Sequence, residues 1–190
     1  LAPDRYRGGF RKHTDPALGR SFDYDDADTF ADRVLALPDS HPMGVRPLVE
    51  MLPYQPTCVR LLLTVAEELS GGARTTIVDI GSGVGRSGVL LHLFTGRPVV
   101  QVEYDPAYSA EGAALAARLG MHGLDSWCGD ARRFDYDRAD TFFMFNPFHG
   151  EMLETVIDRL AERTRRGSIT VCCLGACAEQ FRSRRSFVVT

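Results

Sequence analysis

The run Ile77-Val78-Asp79-Ile80-Gly81-Ser82-Gly83-Val84-Gly85-Arg86 limits the architecture of this chain more than any other segment. An apolar stretch carrying one acid runs into three alternating glycines, and an apolar pattern of helical spacing follows. A strand that turns sharply into a helix leaves the first backbone N–H groups of that helix unpaired and pointing outward. Glycines tighten such a turn and let a ligand approach the backbone. The segment therefore predicts a cofactor cradle built on a β–α unit.

The glycines alone are compatible with two cofactors. Gly83-Val84-Gly85-Arg86-Ser87-Gly88 satisfies G-x-G-x-x-G, the dinucleotide fingerprint. In that motif the first glycine closely follows the strand, whereas Asp79, Ile80, Gly81 and Ser82 stand before Gly83 here. Counted from Gly81, the pattern is Asp-x-Gly-x-Gly-x-Gly, with a carboxylate near the strand end. That acid repels the pyrophosphate of NAD and attracts the ammonium group of S-adenosylmethionine, which carries no phosphate. Asp79 thus favours S-adenosylmethionine.

The surrounding periodicity extends the unit into a sheet. Val59, Leu62, Leu63, Ala66 and Leu69 share a helical face within 57–70. Strands are predicted at 75–80, 98–103, 124–128, 141–145 and 168–174, and helices at 86–94, 106–119 and 150–163. A small helix and a last strand at 186–189 complete the chain. This alternation predicts an α/β fold: a Rossmann-like, doubly wound, mostly parallel sheet with helices on both faces. Val99, Val100, Val102 and Phe142-Phe143-Met144-Phe145 are near-continuously apolar, as strands covered on both faces are. Residues 1–50 are polar, rich in Asp, Arg and Pro, and read as an arm or lid with one short helix starting near Asp25. Residues 51–190 read as the cofactor-binding domain.

Charge and cysteine usage narrow the partners. The 190 residues carry 22 basic and 25 acidic side chains, for a net charge of −3, whereas nucleic-acid binders carry a basic excess or stripe. Arg163-Thr164-Arg165-Arg166 and Arg182-Ser183-Arg184-Arg185 read as solvated helix C-termini, where cations suit the dipole. Nucleic acid is therefore the least expected partner. No apolar run approaches a membrane-spanning length. The start Leu1-Ala2-Pro3-Asp4-Arg5 has no apolar signal core. The five cysteines include no C-x-x-C, and the five histidines show no ligand spacing, so neither a disulfide framework nor a metal site is indicated. Cys172 and Cys173 read as buried thiols, and a cytoplasmic location is expected.

Ligands of open α/β sheets bind beyond the carboxyl ends of the strands. The first strand end carries Asp79, Gly81, Gly83 and Gly85. The second carries Glu103, placed to accept the hydroxyls of a ribose, and Tyr104, placed to pack on adenine. The third carries Asp130 and Ala131; Asp130 is either an acceptor for the adenine amine or a turn cap. The fourth carries Asn146-Pro147-Phe148-His149, where an amide, a rigid turn and an aromatic ring follow four apolar residues.

These residues, taken in order, resemble the class I S-adenosylmethionine-dependent methyltransferases. Tyr54-Gln55-Pro56-Thr57 is similar to the Tyr-x-Pro-Thr element of bacterial relatives of the non-SET histone lysine methyltransferases. The resemblance covers about residues 50–175 and implies a seven-stranded sheet, of which the short C-terminus leaves the last strand in doubt. It implies that Asp79, Gly81, Gly83 and Gly85 hold the methionine end of the cofactor and Glu103 the ribose. It places Asp130 and Ala131 at adenine, Tyr54 and Thr57 over the methionine carboxylate, and Asn146, Pro147 and Phe148 at the transfer site. Two histidines are candidates for a general base, His149 beside the transfer motif and His41 in the lid, where it would also meet substrate. The expected activity is methyl transfer to nitrogen or oxygen of a small molecule, such as a secondary metabolite, leaving S-adenosylhomocysteine. Lysine-type protein methylation, NAD-dependent oxidoreduction and a non-catalytic S-adenosylmethionine-binding subunit are the alternatives. Amine-modifying members often carry Asn-Pro-Pro-aromatic, and this chain lacks the second proline.

Overall fold

The computed structural model describes residues 13–15, 20–22, 24–37, 41, 43–72 and 75–188. Its body is a five-stranded parallel sheet in the order β5-β4-β3-β6-β7, from β3 (Ile77–Ile80), β4 (Val99–Glu103), β5 (Leu124–Cys128), β6 (Thr141–Phe145) and β7 (Thr170–Leu174). β3 and β4 are buried along their whole lengths and β6 nearly so, while β5 and β7 form the edges. The near-continuous apolar runs thus sit where both faces are covered. Strand order reverses between β3 and β6, so their carboxyl ends diverge into a crevice.

Side-chain alternation divides the core in two. Val78, Ile80, Val100, Val102, Phe142 and Met144 face one way, onto Met152, Leu153, Val156, Ile157 and Leu160 of α5 (Gly150–Arg163). Ile77, Val99 and Phe143 face the other, onto α2 (Val59–Glu68) and α3 (Arg86–Thr95). On this second face the register aligns Asp79 with Gln101 and Gln101 with Ser126, a polar row under α3 and α4 (Pro106–Arg118). Gln101 donates to the carbonyl of Gly85 at 3.1 Å and packs against Gly88 and Gly112, which bring both helices close to the sheet. Gly88, the last glycine of the formal dinucleotide motif, is therefore a packing residue.

The polar N-terminal segment contains an antiparallel pair, β1 (His13–Asp15) with β2 (Arg20–Phe22), and α1 (Asp26–Val34). The sequence pattern showed no strands there. α1 starts at Asp25 in a capping box with Asp28, as the acid-rich start suggests. Leu35, just past its end, joins the core beside Leu62 and Val65.

The predicted strand at 186–189 is not formed over its described residues, and Val189 lies outside them. After α6 (Cys177–Arg182) the chain turns twice, with Arg184 N–H donating to Phe181 and Phe187 N–H to Arg184. Its backbone bonds are spent locally, and Phe187 closes edge-on against Phe181 at 5.0 Å. No described helix is long and apolar enough to cross a membrane.

Candidate functional site

The crevice at the carboxyl ends of β3, β4, β5 and β6 is an open cleft, with about 650 Å³ of free space counted out to open solvent. Gly81, Gly83, Glu103, Tyr104, Gly129 and Ala131 line it from the first three strand ends, and Phe145, Asn146, Pro147 and Phe148 from the fourth. A strap covering Met43, Met51, Leu52, Pro53 and Tyr54 closes the opposite wall. A smaller neighbouring recess of about 280 Å³ is lined by Tyr54, Thr57, Asp79, Gly81, Ser82, Arg86 and Ser87, among others.

The glycine turn owes its shape to contacts that exclude any side chain. Gly81 and Gly83 sit at φ +77° and +56°, a region that costs other residues about 1–2 kcal/mol. A Cβ on Gly81 would come within 2.3 Å of Pro147, and one on Gly83 within 2.4 Å of the Tyr54 ring. The turn is therefore gripped by the β6 end on one side and by the strap on the other.

Glu103 supports the turn from below. Its Oε2 accepts the N–H of Gly83 and its Oε1 that of Asp105, each at 2.8 Å. The carboxylate offers about four lone-pair sites in all, so it retains acceptor capacity beyond these bonds. Burial pushes its pKa up, against the backbone donors from Asp105, Gly83 and Tyr104. Asp79 is 1% exposed, and burial pushes its pKa to about 7; the Ser87 hydroxyl, donating at 2.7 Å, opposes this, and the charge of Glu103 adds to it. Two acids thus stand at adjacent strand ends, Glu103 on the cleft and Asp79, balanced near neutrality, on the recess beside it.

Arg86 borders the recess as well, and sequence reasoning missed it. Its guanidinium is 2% exposed, donates to Asp32 at 2.6 Å and to Asp28 at 2.9 Å, and donates to the Thr57 carbonyl. Burial alone would lower its pKa, but Asp32 and Asp28 outweigh that and keep it charged. Both acids come from α1, so the arm neutralises the cation beside the glycine turn and fixes Thr57 through it.

The strap is pinned at both ends. Asp105 caps α4 through the N–H groups of Ala107 and Tyr108, and it also accepts the N–H groups of Gly44 and Val45. Burial would raise the pKa of Asp105, yet these four donors hold it below its ordinary value. At the other end Leu52 donates to the Pro147 carbonyl, Met51 bridges Phe148, and the Glu50 carbonyl accepts from His149. The Glu50 carboxylate accepts the N–H of Met152, in the first turn of α5, at 3.3 Å.

Not every expected residue meets the cleft. Asp130 caps a 3-10 turn and pairs with Arg132 at 2.6 Å, which lowers its pKa; this is the turn-cap alternative, with its neighbours Gly129 and Ala131 on the cleft wall. His41 lies behind Tyr54, edge-on at 5.5 Å, with Nδ1 2.7 Å from Glu111 and its carbonyl accepting from Tyr108. His149 is exposed at the start of α5 and lines neither cavity. Asn146 lines the cleft, but at φ +43° its side chain turns back and accepts the Cys177 N–H at 3.2 Å; asparagine tolerates this left-handed region better than most residues. Cys172 and Cys173 are half-buried on an edge strand rather than buried. Met43, Met51, Leu52 and Met152 also line the cleft and carried no signal beyond hydropathy.

No protein-family model matches this chain, and no curated protein matches its sequence. Among solved structures, a candidate RNA methyltransferase of Pyrococcus horikoshii matches 70% of this chain and 68% of its own, at 19% identity and a TM-score of 0.53. The fold is the Rossmann-like methyltransferase fold. An RNA methyltransferase of Salinibacter ruber, solved with S-adenosylhomocysteine, covers 59% of this chain and 71% of its own, at 19% identity and a TM-score of 0.48. A geranyl diphosphate methyltransferase solved with S-adenosylmethionine covers 58% and 45%, at 22% identity and a TM-score of 0.48. None of these three is a histone lysine enzyme. In the methyltransferase fold seen here the described sheet has five strands, two fewer than the sequence resemblance implies.

Proposed function

We propose that this chain is an S-adenosylmethionine-dependent methyltransferase acting on nitrogen or oxygen of a small-molecule acceptor. The observation that carries this reading is the pair of acids at adjacent strand ends, Glu103 on the cleft and Asp79 on the recess beside it, the two cavities sharing Tyr54 and Gly81 as walls. The cation that borders the same space, Arg86, is already paired with two acids. Such walls disfavour a pyrophosphate and favour an ammonium group and ribose hydroxyls.

In this reading the methionine end occupies the recess, with its ammonium toward Asp79 and its carboxylate beneath Tyr54 and Thr57. Glu103 takes the ribose, and adenine lies by Tyr104, Gly129 and Ala131, with Phe148 and Met152 behind it. The transferred methyl points past Phe145, Asn146 and Pro147. The cofactor's sulfonium is already activated, so the protein contributes mainly proximity and orientation to an in-line displacement. His149 has no part in this scheme, because it stands outside the cleft. The apolar strap residues Met43, Met51 and Leu52 support an acceptor with an apolar body. Lysine-type protein methylation is the second reading, favoured by the Tyr54-Gln55-Pro56-Thr57 wall alone.

Calorimetric titration tests the cofactor. S-adenosylmethionine and S-adenosylhomocysteine are expected to bind and NAD is not. Tight NAD binding with no response to the other two would reverse the assignment. Labelled-cofactor assays against metabolite extract, histones and RNA then rank the acceptor classes.

A further inference from the structure

The most reactive grouping outside the cleft lies directly behind Asn146. β7 ends at Leu174, the chain reverses at Gly175 with φ +83°, and α6 begins at Cys177. The reversal brings the Sγ atoms of Cys173 and Cys177 to 2.8 Å. A disulfide needs about 2.05 Å between sulfurs, so bonding requires a shift below about 1 Å. Cys172, one residue earlier on the strand, belongs to the opposite core face and takes no part.

The pair is chemically asymmetric. Cys177 sits below its ordinary pKa because the Cys173 thiol hydrogen-bonds to it, with burial opposing. Burial and that same hydrogen bond push Cys173 up. Cys177 is thus the thiol that ionises first, and Cys173 is the more solvent-accessible of the two. The thiolate is the nucleophile in oxidation chemistry.

The same turn holds a wall of the cleft in place. Cys177 N–H donates to Asn146 Oδ1, and a Cβ on Gly175 would lie 2.2 Å from Asn146 Nδ2. Any pull on the start of α6 is transmitted to Asn146, which already holds a left-handed backbone.

We propose that Cys173 and Cys177 form a reversible redox modification site, a thiol–disulfide pair that responds to a peroxide and repositions Asn146 in the cleft. In the balanced step, the thiolate of one cysteine of the pair attacks a peroxide oxygen and, with the proton that thiol had released, gives a sulfenic acid and one water. The sulfur of the other then attacks the sulfenic sulfur, the S–S bond forms, and a second water leaves. Two thiols and one hydrogen peroxide become one disulfide and two waters, and a dithiol reductant reverses the change. The coupling to the cleft rests on the cofactor reading above; the disulfide itself does not.

The full chain is treated with hydrogen peroxide and analysed by intact mass and peptide mapping, and each form is titrated with S-adenosylhomocysteine. The expected result is a loss of two hydrogens, a 173–177 link reversed by dithiothreitol, and an affinity at least about fivefold weaker when oxidised, as site-to-site coupling typically gives. Cys172→Ser should behave as the parent does, and Cys177→Ser should lose both the link and the response. A link elsewhere, or none, overturns the redox site. A 173–177 link with unchanged affinity overturns its coupling to Asn146. If the reduced protein binds no S-adenosylhomocysteine, the cofactor reading fails, and the mapped link still decides the thiol pair.

Discussion

Replacing Asp79 by asparagine separates what this residue does for binding from what it costs the fold. In the ligand-free protein its pKa is raised from 3.8 to about 7 by burial. A carboxyl raised in the folded state contributes stability that is full below its unfolded value and lost as pH rises through its folded one. The change corresponds to about 4 kcal/mol at 1.36 kcal/mol per pH unit. At pH 7.5 the empty protein therefore carries a buried, mostly ionised carboxylate, and Asp79→Asn should raise its Tm there while leaving it unchanged near pH 4. Binding has the opposite sign. An ammonium beside Asp79 requires the ionised form, which falls to about one in ten molecules at pH 6. If binding restores an ordinary carboxylate pKa, affinity for S-adenosylhomocysteine should drop about 25-fold between pH 7.5 and 5.5. Glu103, also raised by burial, adds in the same direction. Calorimetry across this range should show the slope in the parent chain and a much flatter profile in Asp79→Asn, with affinity weaker by about tenfold at pH 7.5, or about 1.4 kcal/mol. A parent affinity indifferent to pH, or an asparagine variant that binds as tightly, would refute the placement of the ammonium at Asp79.

Three substitutions test other parts of the site. Arg86→Met leaves Asp28 and Asp32 buried without their cation and should cost about 3–5 kcal/mol in denaturant unfolding; a loss below about 1 kcal/mol would show that the triad does not hold α1. Gly83→Ala places a Cβ 2.4 Å from the Tyr54 ring at φ +56°, so calorimetry should show S-adenosylhomocysteine affinity falling more than about tenfold. Glu103→Ala removes the acceptor beneath Gly83 and the ribose site together, and the same titration should again lose more than about tenfold; unchanged affinity would move the ribose elsewhere.

Local pattern carried most of the sheet, because β3, β4 and β6 are buried on both faces and betray themselves as apolar runs. The same logic placed Gly81, Gly83, Glu103, Tyr104, Ala131 and Phe148 at one crevice and Asp79 at the recess beside it, since strand ends in this topology converge. What escaped depends on contacts between distant residues. The Arg86 pairs join positions 58 and 54 residues apart, and the Gly44 bond to Asp105 spans 61. Nothing in Asp28 or Asp32 as solvated-looking helix acids indicates that they are buried. Asn146 and His149 were legible as residues but not in direction: a positive φ turns one side chain toward Cys177, and the start of α5 turns the other to solvent. Cys173 and Cys177 escaped because their spacing matches neither a metal motif nor C-x-x-C, and it takes the Gly175 reversal to join them.

The pinning of the strap bears on time as well as on affinity. Gly44 and Val45 both donate to the Asp105 carboxylate, and hydrogen bonds to charged acceptors contribute about 1.5–3 kcal/mol each. Lifting that end alone therefore costs several kcal/mol, before Leu52 lets go of Pro147 at the other. If a molecule seated beneath Tyr54 can leave only when the strap lifts, its departure is set by these bonds as well as by its own contacts. A dissociation rate shared by dissimilar ligands would be the kinetic signature of such a gate.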